Sequence, residues 1–152
     1  MTAELPPVVH EVTVPLTVEQ AFALFVEQMA LWWPFKSHSC AGEAACAVHF
    51  EPRLGGAVEE ITRSGQRHPW GRLTDWNPPQ GFAMTWHPAQ DPAQATQLSV
   101  QFAPAAGGGC RIHLRHGGWS ARGADAAPVR DNYHQGWAFV LGLYAAAAAA
   151  KG

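Results

Sequence analysis

The chain has 152 residues, 47% of them hydrophobic and only 14% charged, which suits one domain over 1–152 burying roughly 70% of the surface its unfolded form would expose. A formal net charge of −2 with ten scattered Lys and Arg gives no basic footprint for nucleic acid, and no apolar run reaches the ~18–20 residues of a membrane span. The N-terminus lacks a signal-peptide pattern, and three cysteines without framework spacing point to reduced thiols and a cytoplasmic protein.

Val8 to Val14 alternates and is β-branched, which predicts a strand ended by Pro15. Thr17 followed three residues later by Gln20 has the form of a capping box. Val18, Phe22, Phe25 and Met29 then recur at helical spacing as far as Trp33 and Pro34, giving one helix or two short ones with a kink. Short strands follow at 46–51, 57–62, 68–76, 82–87, 96–103 and 110–116, separated by turns such as Gly55–Gly56, Asn77–Pro78–Pro79 and Gly107–Gly109. In the last two, Leu98, Val100, Phe102, Ile112, Leu114 and His116 share one parity while the polar residues take the other. That is an antiparallel sheet with one covered face. From about Ala126 the period becomes helical, with Tyr133, Trp137, Val140, Leu141 and Tyr144 on one stripe and a six-alanine run at 145–150. A curved sheet must cover its apolar face, and this last helix is the element long enough to do so. Either bulky aromatics fill the space beneath it or a cavity remains.

The blocks "VPLTVEQAFALFVEQMALWWP", "FEPRLGGAVEE", "WGRLTDWNPPQGFAMTWHP", "TQLSVQFAPAAGGGCRIHLRHGGW" and "QGWAFVLGLYAAA" are similar, in this order, to those of the SRPBCC superfamily. They most resemble its bacterial homologues of the activator of heat-shock protein 90 ATPase, related to START domains and polyketide cyclases. The resemblance runs from about residue 8 to residue 148. It implies a helix-grip α+β fold, a curved antiparallel sheet around a long C-terminal helix, with a cavity between them. It also implies a pocket rim just after the paired tryptophans, near Trp33 and His38, and an acid at the position of Glu60. It does not fix chemistry, because the superfamily includes carriers, receptors and a few enzymes.

His38, Cys40, Cys46 and His49 are the densest cluster of metal-ligating types. Their spacing is not that of structural zinc sites, and strand parity sends Cys46 and His49 to opposite faces. Neither a metal nor a cofactor is expected. Glu59 and Glu60 are strand neighbours, so at most one points inward, where it must find a cation or a proton. His116 continues the apolar register and is either a satisfied core group or a polar anchor in the pocket. No serine or cysteine stands in a nucleophile motif, and no catalytic residue is assigned.

The expected function is binding of a small hydrophobic or aromatic molecule, for sequestration or transport. Trp33, Trp70, Trp86, Trp119, Tyr133 and Trp137 are the candidate wall, and Phe82 and Met84 share the register of Trp86. Glu60 and His116 are the candidate polar groups. A second class is an interaction module, a stress-related chaperone partner or a homodimer, which the low charge fits. A third is a cyclase or hydrolase using an inward acid–histidine pair.

Overall fold

Wherever apolar residues alternate along this chain, a strand forms with its apolar side turned to one common interior. The computed structural model describes residues 4–151. Its strands are β1 (Val8–Val14), β2 (Ala45–Phe50), β3 (Ala57–Thr62), β4 (Arg67–Asn77), β5 (Gly81–Trp86), β6 (Thr96–Pro104) and β7 (Cys110–Gly117). They make one antiparallel sheet in the order β1-β7-β6-β5-β4-β3-β2. The parity read for β6 and β7 holds: Leu98, Val100, Phe102, Ile112, Leu114 and His116 are all buried.

Register shifts between Ala45 and Ala47, Val58 and Glu59, and Leu73 and Asp75 bend the β2–β5 half of the sheet. Gly71 lets β4 close on β5, since a Cβ there would lie 1.8 Å from the Thr85 carbonyl oxygen.

Two helices cover the concave face, α1 (Val18–Val26) and α2 (Ala126–Lys151). The capping box forms as read, with Gln20 N–H donating to Thr17 Oγ1 and Thr17 N–H to Gln20 Oε1. Of the two alternatives for residues 18–33, two short helices are found. The α-turns stop at Val26, and Met29–Leu31 form a separate 3-10 turn. No Pro or Gly marks this break. The carbonyls that it frees are taken up elsewhere: Ala23 O accepts from both Glu27 and Gln28, and Leu24 O accepts the Trp32 indole N–H at 2.8 Å.

The long helix α2 buries Trp137, Val140, Leu141, Tyr144 and Ala148, the expected stripe extended by one turn into the alanine run. Three polar contacts fix its pose. Tyr144 OH donates to Ala21 O of α1 at 2.7 Å, His10 Nε2 of β1 donates to His134 O at 2.9 Å, and Arg130 Nε donates to Pro6 O.

Helical glycine costs about 0.5–1 kcal/mol relative to alanine. At Gly142 an added Cβ meets nothing within 4 Å, and at Gly136 it meets only His38 Nε2 at 3.8 Å. Gly136→Ala and Gly142→Ala should therefore each raise stability by about 0.5–1 kcal/mol in urea unfolding. A loss at Gly142 would show that α2 is not helical there.

Candidate functional site

Four tryptophans meet beneath α2, brought together from the turn after α1 (Trp33), from β4 (Trp70), from β5 (Trp86) and from α2 itself (Trp137). Trp33 lies 5.0 Å from Trp70 and 5.9 Å from Trp137, and Trp86 lies 5.3 Å from Trp70 and 5.2 Å from Trp137, between ring centroids. All adopt tilted or edge geometries, which favour aromatic pairs. The space between sheet and helix is thus largely filled by side chains. A cleft of about 440 Å³ remains at its mouth, between α2, the loop 37–40 and the residues just after β5. That is within the size range of small-molecule sites.

The expected wall residues divide accordingly. Trp33, Trp86, Tyr133 and Trp137 line the cleft. Trp70, Phe82, Met84 and Trp119 do not; they are fully buried core. Phe82 packs on Phe25 and Phe50, and Trp119 lies behind Tyr133 against the His116 ring.

The two candidate polar groups are also off the cleft wall. Glu60 faces inward, while Glu59 faces outward to Arg67 at 3.2 Å. Neither a cation nor an acid–histidine pair is what Glu60 meets. Its Oε1 accepts from Cys40 N–H at 2.8 Å and Trp70 Nε1–H at 2.9 Å, and its Oε2 accepts from Ala41 N–H at 2.8 Å. Glu60 therefore anchors the loop that forms one lip of the cleft.

His116 has a single arrangement. Trp137 Nε1–H donates to its Nδ1 at 2.9 Å, so in the neutral ring Nε2 carries the proton. That proton goes to Thr96 Oγ1 at 2.6 Å, and Thr96 in turn donates to Trp86 O at 3.3 Å. Both ring nitrogens are used, and burial pushes the imidazole down to about 3 from an ordinary 6.5. His116 is a neutral strut linking β6, β7 and α2, with no lone pair left for a ligand.

The polar lining of the cleft includes Tyr133 and His38, beside Ser37, Ser39, Cys40, Asn132 and Gln135. Trp86 Nε1–H donates to Tyr133 OH at 3.0 Å, which leaves the phenol's own proton to donate. Burial raises this phenol, and the Trp86 hydrogen bond and nearby Arg122 only partly oppose it. Tyr133 is thus a fixed O–H donor at neutral pH. His38 comes from the loop, with Ser37 Oγ 2.7 Å from its Nδ1, its backbone oxygen accepting the Trp33 indole N–H, and its ring 5.5 Å from Phe139. The Cys40 thiol is pushed up by burial and then by the Glu60 carboxylate, so it stays protonated.

Phe139 escaped the sequence reading although it lines the cleft and is 52% exposed. Its signal was an aromatic just off the buried stripe of α2. Gly136, also on the wall, gave no signal that sequence alone could interpret. Among the described residues no group of three or more His, Cys, Asp or Glu could hold a metal ion, so His38, Cys40, Cys46 and His49 do not form one.

Residues 15–143 match the family model of the activator of Hsp90 ATPase homolog 1-like protein. Among solved structures, the anthrahydroquino-γ-pyrone synthase Txn09, complexed with SUM, is 34% identical over 83% of this chain and 85% of its own, with a TM-score of 0.58. The Aha1 dimer from Colwellia psychrerythraea has a TM-score of 0.68 at 12% identity, covering 95% of this chain and 96% of its own. A protein from Chromobacterium violaceum has a TM-score of 0.64 at 22% identity, covering 95% and 98%. The last two likenesses concern the fold alone. No curated protein matches the chain.

Proposed function

The chain belongs to the activator of Hsp90 ATPase homolog 1-like family, and from that premise we propose that its cleft binds a flat, oxygenated aromatic small molecule. Three indoles and one phenol lining a recess of about 440 Å³ support this most directly. The indoles offer apolar faces for a planar ring system, and the Tyr133 O–H, pinned by Trp86, is set to donate to a carbonyl or quinone oxygen. Txn09 is by name a synthase of a fused, oxygen-rich aromatic, so a ligand of that class here is consistent with the kinship. The free thiols Cys40, Cys46 and Cys110 favour a reducing compartment.

A dihydroxyanthraquinone titrated into the protein should quench tryptophan fluorescence saturably. Tyr133→Phe should weaken binding about fivefold to tenfold, the value of one hydrogen bond. Gly136→Phe should fill the cleft and abolish binding with the fold intact, while Gly142→Ala should leave binding unchanged. Equal affinity in Gly136→Phe and wild type would remove the cleft from consideration.

A second function rests on the same cleft and on the 34% identity to a synthase. An imidazole and a phenol in one recess supply a proton acceptor and a proton donor, the two groups needed to close an oxygen heterocycle onto an activated carbonyl. In that case His38→Ala should lower turnover far more than it lowers affinity.

A further inference from the structure

A second recess, of about 680 Å³, lies where α1 crosses the end of β2 and the β4–β5 turn, and it shares no lining residue with the first. Its apolar wall includes Phe22, Phe50 and Trp76. Phe22 meets Trp76 edge-on at 5.5 Å, and Trp76 is half-buried rather than sealed. Glu19 and Glu27 of α1 stand in the same lining. Neither forms an ion pair among the described residues, and no Lys or Arg lines the recess, whose one basic side chain is the exposed His49.

We infer that this recess is a binding site for a small aryl- or alkylammonium cation. The chemistry of the lining selects that class. Aromatic faces attract a cation through their quadrupoles, and a quaternary or alkylated ammonium keeps an apolar shell that the same faces can bury. Two unpaired carboxylates add attraction of the same sign. An anionic aromatic is repelled by them, and a neutral one gains only from the apolar wall. The two recesses share no lining residue, so the second does not depend on what the first binds.

The test uses benzyltrimethylammonium as the cation, benzyl alcohol as a neutral comparison and phenylmethanesulfonate as an anion, followed by the indole N–H signals of the ¹⁵N-labelled protein. The expected result is a saturable shift at Trp76 with the Trp33 and Trp86 signals unmoved. Benzyl alcohol should bind roughly tenfold more weakly, and the sulfonate should not bind. Glu19→Gln with Glu27→Gln should cost the cation roughly fivefold to tenfold, as two exposed charges together do, while the remaining indole signals report that the fold is kept. Equal binding of cation and neutral comparison by wild type, which requires no variant, overturns the assignment. So does a shift centred on Trp33 and Trp86. A Trp76 signal that moves with protein concentration alone would assign the recess to a second copy of the chain and overturn it as well.

Discussion

Glu60→Leu is expected to lower the unfolding free energy by about 3–5 kcal/mol, because it strands three donors at once, one buried and two part-buried. The Cys40 and Ala41 amides and the Trp70 indole all point at the carboxylate, which is fully buried. Leucine fills the volume but offers none of them an acceptor. A domain of this size is stable by about 5–15 kcal/mol in total, so the loss is a large fraction of the whole. Glu60→Gln should fall between, at about 1–3 kcal/mol, since its single oxygen keeps some of the bonds while its NH2 faces an N–H. The second consequence is functional. Cys40 lines the cleft, so a folded Glu60→Gln protein should bind the cleft ligand more weakly although position 60 never touches it. Denaturant unfolding at constant m-value gives the first quantity, and the fluorescence titration gives the second. A Leu variant within about 1 kcal/mol of wild type would mean that these amides find other acceptors and that Glu60 does not anchor the loop.

The contrast between Glu59 and Glu60 shows where the sequence stops being legible. That one of them faces inward follows from strand parity alone. Which one does depends on pairing around the register shift between Val58 and Glu59, and backbone amides twenty residues upstream leave no mark in a sequence. The alternation in β6 and β7, the capping box at Thr17 and the stripe on α2 were legible because each is set by local periodicity. The break after Val26 was not. It is held by the Trp32 indole reaching the Leu24 carbonyl, a tertiary contact. The same limit applies to the aromatics. Composition calls for a wall of tryptophan, but Trp70 and Trp33 touch each other, and one is core while the other lines the cleft. The difference is one of depth, set by how closely α2 sits on the sheet. His116 gave its parity to the sequence and hid its partners, Thr96 and Trp137, which come from two other elements.

That three-element junction should make the protein acid-sensitive. The unfolded chain protonates this histidine near its ordinary 6.5, whereas in the fold burial defers protonation to about 3. Between those values the unfolded state binds the extra proton, so the contribution is complete above pH 6.5 and is lost as pH falls, by about 1.4 kcal/mol per unit. From pH 7 to pH 5 the loss due to this residue is about 2 kcal/mol. The direction is that of a base held neutral. A histidine stabilised by a carboxylate would do the reverse and gain stability on acidification, but no acid meets this ring: its partners are an indole N–H and a hydroxyl. His116→Gln can accept from Trp137 and donate to Thr96 without titrating. It should be less stable than wild type at pH 7 because it packs less well, and its stability should vary less between pH 7 and 5. Urea unfolding of both proteins at a series of pH values measures the two slopes. The other histidines are common to both proteins, so the difference between the two slopes belongs to position 116. Parallel slopes would show that His116 takes up its proton in the fold over the same pH range as in the unfolded chain, and at pH 5 the Trp137 indole would then need another acceptor, because a doubly protonated ring has none to offer.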